Sequence, residues 1–193
     1  MNNERIFRNI NNIEKDLIAT SFNIISAKLS PVFDKIKSLL YISINISTSE
    51  KAYPSIYLIT NEQQKIIDES NIIYGIYTAG LYFGLIKRGI FYFSIEGAEY
   101  LYKSGIYTDF KQLILNESGE KSFLYGNNIL KKMVTKSPTN LKEKDFLIIL
   151  NKFDEIIGLG LSRTNNEKMV HLKPKNIIAI NLSDKGQYLR ITQ

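Results

Sequence analysis

The stretch Gly119-Glu-Lys-Ser-Phe-Leu-Tyr-Gly-Asn-Asn-Ile-Leu-Lys131 lies at the junction between two differently patterned halves of the chain. It begins at the end of Asn116-Glu-Ser-Gly119, the first polar, turn-forming cluster that separates two long periodic regions. We therefore predict a turn at this cluster and place a domain boundary there. The predicted domains are residues 1–116 and 117–193.

The part of the chain after this boundary is rich in predicted strands. Apolar, β-branched runs bounded by polar segments predict three strands, at Phe146–Leu150, Ile156–Leu161 and Ile177–Ile180. Before them, Phe123–Met133 predicts a short helix that ends in two lysines. The polar connections 136–144 and 164–175 both carry lysines. The second half is therefore predicted to be a compact, strand-rich module with basic connections.

The first half mixes helical and strand patterns. Apolar residues at three- and four-residue spacing over residues 10–40 predict two helices, the second beginning at Pro31. Thr60-Asn-Glu-Gln63 has the spacing of a capping box and predicts a further short helix. The remaining patterns predict strands at Tyr41–Ile46, Ser55–Ile59 and Lys111–Leu115, a hairpin within Ile72–Ile95 broken at Lys87-Arg88-Gly89, and a helix at Glu96–Tyr102.

Composition excludes several classes of protein. The 193 residues are 44% hydrophobic and 23% charged, which is ordinary globular usage. With no cysteine and one histidine, a disulfide framework, a thiolate metal site and a His-rich metal site are excluded. The N-terminus lacks the pattern of a secretory signal, and no apolar run reaches the ~18 residues that span a bilayer. We expect a soluble intracellular protein that does not bind membranes.

The positive charge is concentrated in the second half. Residues 1–120 contain 12 Lys and Arg against 13 Asp and Glu, whereas residues 121–193 contain 13 against 6, a net charge of +7. A clustered field of positive sign is typical of a nucleic-acid-binding surface. A solvated lysine-rich face has the same composition, so charge by itself leaves both readings open.

The stretch 119–131 resembles the opening of a PUA domain and, more narrowly, the segment that joins the two domains of the Nip-seven family of ribosome-biogenesis factors. The likeness continues through Ile156-Ile-Gly-Leu-Gly-Leu161 and through Ile177-Ile-Ala-Ile-Asn-Leu-Ser-Asp-Lys-Gly-Gln-Tyr-Leu-Arg190. In the first half, Ala79-Gly-Leu-Tyr-Phe-Gly84, Phe91–Ile95 and Ala98-Glu-Tyr-Leu101 follow the order of that family. The sequence resembles an archaeal member with a longer, asparagine-rich N-terminal stretch.

This resemblance implies an α+β fold: an N-terminal antiparallel sheet with helices, followed by a C-terminal PUA-type β pseudo-barrel that binds RNA. It implies a non-enzymatic accessory factor in ribosome biogenesis and rRNA processing, with no cofactor. The implied partners are rRNA or pre-ribosomal RNA, including U- or A-rich single strands, and pre-ribosomal proteins or exosome subunits. We expect a monomer, in the cytoplasm of an archaeon or the nucleolus of a eukaryote.

The residues predicted to contact RNA carry or can carry positive charge. Lysines approach phosphates as point charges, and arginine can also stack on an unpaired base. The alternative for each is a solvated or structural role, such as complementing a helix dipole or pairing with an acidic neighbour. The candidates are Arg163, Lys168, His171, Lys173, Lys175, Lys131, Lys132, Lys185 and Arg190.

Two further functional readings remain as alternatives. The first is a protein adaptor that regulates the RNA exosome, in which the basic face only assists. The second and weaker one is an RNA-modifying enzyme. The sequence has no Gly-x-x-x-x-Gly-Lys phosphate loop and no Gly-rich turn between a strand and a helix. We therefore predict no catalytic residue and no metal site.

Overall fold

The computed structural model describes residues 5–46, 52–70, 76 and 78–190 of the chain. They form two compact units that divide between Tyr107 and Thr108. This division precedes the predicted one at residues 116 and 117. The reason is that Lys111–Leu115 pairs in parallel with Phe146–Leu150 and so belongs to the sheet of the second unit.

The first unit contains an antiparallel sheet of five strands among its described residues, in the order β1-β2-β3-β4-β5. Four helices accompany it, with single 3-10 turns before and after the second helix. The strands are β1 (Arg5–Asn9), β2 (Leu40–Asn45), β3 (Ser55–Leu58), β4 (Leu81–Lys87) and β5 (Ile90–Phe93). The helices are α1 (Asn12–Ile25), α2 (Ser30–Ile36), α3 (Asn61–Ser70) and α4 (Ile95–Lys103).

Local sequence signals position several of these elements. The capping box before α3 is present, since the Gln63 amide donates to the Thr60 hydroxyl oxygen over 3.2 Å and the Thr60 amide donates to the Gln63 side chain over 3.0 Å. The β4–β5 hairpin turns at Arg88 and Gly89, whose φ angles of 52° and 73° suit the tight turn that joins two twisted strands. Both predictions are confirmed.

The sheet of the first unit buries apolar residues on both faces. On one face, the rings of Phe83, Phe91 and Phe93 surround Phe22 of α1 with centroids 4.9–6.3 Å from it. On the other face, Phe7, Tyr41 and Tyr57 form a smaller cluster, against which the partly buried Ile67 and Tyr82 pack. The packing explains why this part of the chain is rich in aromatic residues.

The second unit contains a barrel-like sheet of six strands among its described residues, in the order β7-β11-β10-β9-β6-β8. A 3-10 turn at Lys131–Met133 joins β7 and β8, the first and last strands of that order, so the sheet is nearly closed. The strands are β6 (Lys111–Leu115), β7 (Ile129–Leu130), β8 (Val134–Lys136), β9 (Phe146–Leu150), β10 (Ile156–Ser162) and β11 (Ile177–Asp184). The helices are α5 (Glu117–Leu124), α6 (Asn166–His171) and α7 (Gln187–Arg190).

An apolar core lies within the second unit. Its fully buried members include Leu113, Phe123, Ile129 and Leu147. The α+β class predicted from the sequence is confirmed. Among the described residues, no helix has the length and apolar composition needed to cross a bilayer.

Several local predictions are wrong. The predicted turn at Asn116–Gly119 is the start of α5, with the Asn116 side chain accepting a hydrogen bond of 2.8 Å from the Gly119 amide. The predicted helix at Phe123–Met133 is broken at Gly126, which has a φ of +89°. The predicted connection 164–175 contains α6. The strand β1 was not predicted, and residues 72–75 and 77 of the hairpin prediction lie outside the described residues.

Candidate nucleic-acid interface

Two segments that carry predicted RNA-binding residues are hydrogen-bonded to each other. The 3-10 turn contributes its amides: Lys131 donates to the carbonyl oxygen of Asn176 over 2.9 Å, and Lys132 to that of Pro174 over 3.0 Å. The acceptors belong to the connection between β10 and β11. The structure thus brings together seven of the nine candidates, which we call the connection surface: Lys131, Lys132, Arg163, Lys168, His171, Lys173 and Lys175.

Lys131 is the anchored member of the connection surface. Its half-buried side chain donates from Nζ to the carbonyl oxygens of Val170 and Leu172, over 2.9 and 2.8 Å. These carbonyls lie at the C-terminal end of α6, where a cation also complements the helix dipole. Lys131 therefore holds the turn against the connection.

Lys173 and Lys175 are exposed charges held on a fixed turn of this surface. The Asn176 side chain accepts a hydrogen bond of 2.7 Å from the Lys173 amide, and the Asn176 amide donates to the Lys173 carbonyl over 3.0 Å. This tight turn leaves both lysine side chains exposed. No carboxylate in the described part of the chain lies within ion-pair distance of either, so both charges are available to a phosphate.

Three further members of the surface, Arg163, Lys168 and His171, lie in the connection between β10 and β11. Asn165 caps α6 by accepting a hydrogen bond of 2.8 Å from the Lys168 amide. The Lys168 ammonium lies 3.7 Å from the Glu143 carboxylate, a loose and exposed ion pair. His171 at the end of the helix is exposed, as is Arg163 at the start of the connection, whose amide donates to the Ile178 carbonyl over 2.8 Å.

A second lysine-bearing connection adjoins this surface, and its residues were not among the predicted candidates. The Asn166 side chain donates to the Pro138 carbonyl over 2.8 Å and accepts a bond of 2.5 Å from the Leu141 amide. It thereby fastens the 136–144 segment to α6 and places the exposed Lys142 and Lys144 next to the connection surface. The sequence shows the lysines, but only the tertiary contact through Asn166 shows their position.

The other two candidates lie elsewhere. Lys185 and Arg190 follow the far end of β11, about 23 Å from the connection surface at roughly 3.3 Å per residue. Arg190 donates from both terminal nitrogens to the buried Asp184 carboxylate over 3.0 and 2.8 Å, and it also bonds the Leu124 carbonyl. The hydrogen bond to Asp184 raises the pKa of Arg190 above its ordinary value. Arg190 therefore has a structural role that fixes the end of α5.

At Gly158, the neighbouring strands β10 and β11 of the second unit approach each other closely. A Cβ at this position would lie 2.3 Å from the Ser183 carbonyl oxygen and 2.7 Å from Cε1 of Phe123. The backbone of β11 therefore comes so close to Gly158 that a side chain at this position would not fit. Among the described residues, no group of three or more His, Asp or Glu side chains is placed to hold a metal ion.

Comparisons with known protein sequences agree with this architecture. The family model described as the UPF0113 PUA domain matches residues 111–193. A UPF0113 protein of Archaeoglobus fulgidus is 30% identical over 135 residues, which cover 70% of this chain and 72% of that protein. The 60S ribosome subunit biogenesis protein NIP7 of Saccharomyces cerevisiae is 31% identical over 104 residues, covering 54% of this chain and 55% of that protein. The matched part thus spans little more than half of the yeast relative.

Solved structures show the same fold at low sequence identity. A hypothetical protein from Pyrococcus horikoshii OT3 has a TM-score of 0.64 with 10% identity and covers 97% of this chain and 100% of its own. A conserved PUA domain protein from Thermoplasma acidophilum has a TM-score of 0.55 with 11% identity, covering 97% and 98%. The PUA-type fold of the second unit is confirmed.

Proposed function

Because this chain belongs to the UPF0113 family of PUA-domain proteins, we propose that it is an RNA-binding accessory factor in ribosome biogenesis. The connection surface is the observation that carries this proposal. Relatives from yeasts are named as 60S ribosome subunit biogenesis proteins, which supports a pre-ribosomal RNA as the ligand. The proposed role is non-enzymatic.

The chemistry of the connection surface suits a polyanion. Lys173 and Lys175 offer exposed ammonium groups on a turn fixed by Asn176. Arg163 offers a planar guanidinium that can bind a phosphate with two hydrogen bonds or stack on an unpaired base. Contacts of this kind go mainly to phosphates, so we propose charge-driven binding of single-stranded RNA with weak sequence preference.

The test is the affinity of the full chain for labelled oligouridylate and oligoadenylate, measured by fluorescence anisotropy. Lys173→Ala with Lys175→Ala removes two phosphate contacts and is expected to weaken binding of both RNAs about tenfold at physiological salt. The matched control is Lys121→Ala with Lys152→Ala, which removes two exposed lysines that pair with Glu117 on the same unit. Equal affinities of the two double variants would refute the proposed surface.

We further propose that the first unit docks a pre-ribosomal protein. Ile13 and Ile24 are 73% and 76% exposed and, eleven residues apart on α1, share one face of that helix. Exosome subunits are the alternative partner, in which case the chain acts as an adaptor. A pull-down after nuclease treatment distinguishes the two partners. The parent chain is expected to retain ribosome-assembly proteins rather than exosome subunits, and Ile13→Ser with Ile24→Ser is expected to lose them.

A further inference from the structure

The β3–β4–β5 part of the first sheet exposes aromatic residues on one face. Strand pairing places Lys87 opposite Ile90 and Leu85 opposite Tyr92. The Ile86 amide donates to the Pro54 carbonyl over 2.9 Å, which continues the β3–β4 pairing and brings Tyr53 beside Lys87. Tyr53, Lys87, Ile90 and Tyr92 therefore lie on one face of the sheet.

Helix α1 packs on the opposite face of this part of the sheet. Phe91 and Phe93, which alternate with Ile90 and Tyr92 along β5, pack on Phe22 of α1. In contrast, Tyr53 is 47% exposed, Ile90 46% and Tyr92 42%. Apolar and aromatic side chains are thus presented at a surface, whereas their neighbours form the core.

The charge on this face is positive although the first half of the chain is almost neutral overall. The Lys87 ammonium lies 4.8 Å from the centroid of the Tyr53 ring, a cation–π contact that holds the charge beside an aromatic surface. Arg88 is exposed at the tip of the hairpin. The sequence segments 52–59 and 78–93, which include the strands β3, β4 and β5, contain Lys87 and Arg88 but no acidic residue.

The spacing of the two tyrosines leaves room for more than one base. Tyr92 lies level with Leu85 and Ser55, and Tyr53 lies two residues beyond Ser55. Two strand spacings of about 4.8 Å and two residues of about 3.3 Å place their Cα atoms roughly 12 Å apart. Each ring can therefore stack on a different base while the cations between and beside them meet the phosphates.

We propose that this face, defined by Tyr53, Lys87, Arg88, Ile90 and Tyr92 and called here the tyrosine face, is a second binding surface for single-stranded RNA. The tyrosine rings stack on unpaired bases, and Lys87 and Arg88 contact the backbone phosphates. The tyrosine face belongs to the first unit and the connection surface to the second, so each is tested by its own substitutions. It gives the first unit a direct role in holding RNA.

The experiment uses the full chain carrying Lys173→Ala and Lys175→Ala, so that binding at the connection surface is weakened. Affinity for labelled oligouridylate is measured with Tyr92→Leu and with Tyr92→Phe added. Loss of a stacking ring is expected to reduce affinity about fivefold to a hundredfold for Tyr92→Leu, and Tyr92→Phe is expected to retain it. Tyr100→Leu is the matched control, because Tyr100 is 41% exposed on α4.

A second measurement does not require a substitution on the tyrosine face. Oligouridylate containing 5-iodouridine is photocrosslinked to the same chain, and the attached peptides are identified by mass spectrometry. Crosslinks to Tyr53 or Tyr92 are expected. Crosslinks confined to residues 121–193, or equal affinities of Tyr92→Leu and Tyr92→Phe, would overturn the tyrosine face. A different result separates the two proposals. If Lys173→Ala with Lys175→Ala left the affinity unchanged while Tyr92→Leu still reduced it, the connection surface would be refuted and the tyrosine face supported.

Discussion

The ammonium of Lys131 lies 2.8 Å from the carbonyl oxygen of Leu172, which links the 3-10 turn between β7 and β8 to the end of α6. The same ammonium also binds the Val170 carbonyl. A cation predicted to contact RNA is thus used to shape the surface on which other cations are displayed. Lys131 therefore has a structural role, whereas Lys173 and Lys175 are available to RNA, although all three belong to the connection surface.

Lys131→Met is expected to destabilise the second unit. The substitution keeps the apolar stem but removes the charged donor from two carbonyl groups, at a cost of about 1 kcal/mol because the site is partly solvated. Urea unfolding of the full chain measures the change. Lys132→Met is the control, since this exposed neighbour is expected to change stability by less than about 0.5 kcal/mol. Equal effects of the two substitutions would contradict the anchoring role.

Gly158→Ala is expected to cost about 1–3 kcal/mol, because the new methyl group would overlap the Ser183 carbonyl and the Phe123 ring. Gly160→Ala is the matched comparison on the same strand. Its Cβ would approach the Ile149 side chain at 3.1 Å and the Ile180 carbonyl at 3.2 Å, which small adjustments relieve. Thermal unfolding of both variants measures the difference. A Gly158→Ala chain as stable as Gly160→Ala would show that the strands tolerate the overlap.

The Arg8–Glu14 pair makes stability depend on pH. Burial raises the pKa of the Glu14 carboxyl, but hydrogen bonds from Arg8 and from the Asn11 amide outweigh it and lower the pKa below its ordinary value. A lowered pKa in the folded state stabilises the fold above the unfolded-state pKa, and this stabilisation is lost as pH falls through the folded-state value.

Glu14→Gln tests this dependence, because glutamine keeps the capping hydrogen bond and removes the charge. The variant is expected to be about 1 kcal/mol less stable than the parent at neutral pH. The difference should shrink as both proteins are acidified below the ordinary pKa of glutamate. A difference that stays constant from neutral to acidic pH would exclude the ion pair as its cause.

Arg190→Ala is expected to affect stability more than RNA affinity. The guanidinium is held by the buried Asp184 carboxylate and lies at the opposite end of β11 from the connection surface. Removing it leaves that carboxylate without its cation, so the urea midpoint should fall. RNA affinity measured below the unfolding range should match the parent, whereas a loss as large as that of the Lys173 and Lys175 double variant would assign Arg190 to the RNA site.

Individual helices and strands were predictable where hydrophobic periodicity and turn residues were consistent, whereas the α+β class was implied by the resemblance to the Nip-seven family. The hairpin at Arg88 and Gly89 and the capping box at Thr60 are local signals, and the structure shows both. The start of α5 was missed because Asn116-Glu-Ser-Gly119 was interpreted as a polar, turn-forming cluster between two domains. Gly119 is instead required by tertiary packing, since a Cβ at this position would lie 2.6 Å from Cβ of Met133.

The candidate site was predictable in composition and only partly in arrangement. The lysines between β10 and β11 are visible in the sequence, and their chain proximity keeps them together in space. Lys142 and Lys144 lie next to the connection surface because of hydrogen bonds made by Asn166. Arg190 lies away from that surface because of the length of β11. Neither follows from residue spacing along the chain.

The salt dependence of RNA binding tests the central claim most directly. For a single strand, the logarithm of the affinity falls with the logarithm of the salt concentration with a slope of about −0.7 for each phosphate neutralised. Lys173→Ala with Lys175→Ala should therefore make the slope shallower by about 1.4 relative to the parent chain. An unchanged slope and affinity in this variant would show that the connection surface does not contact the RNA backbone.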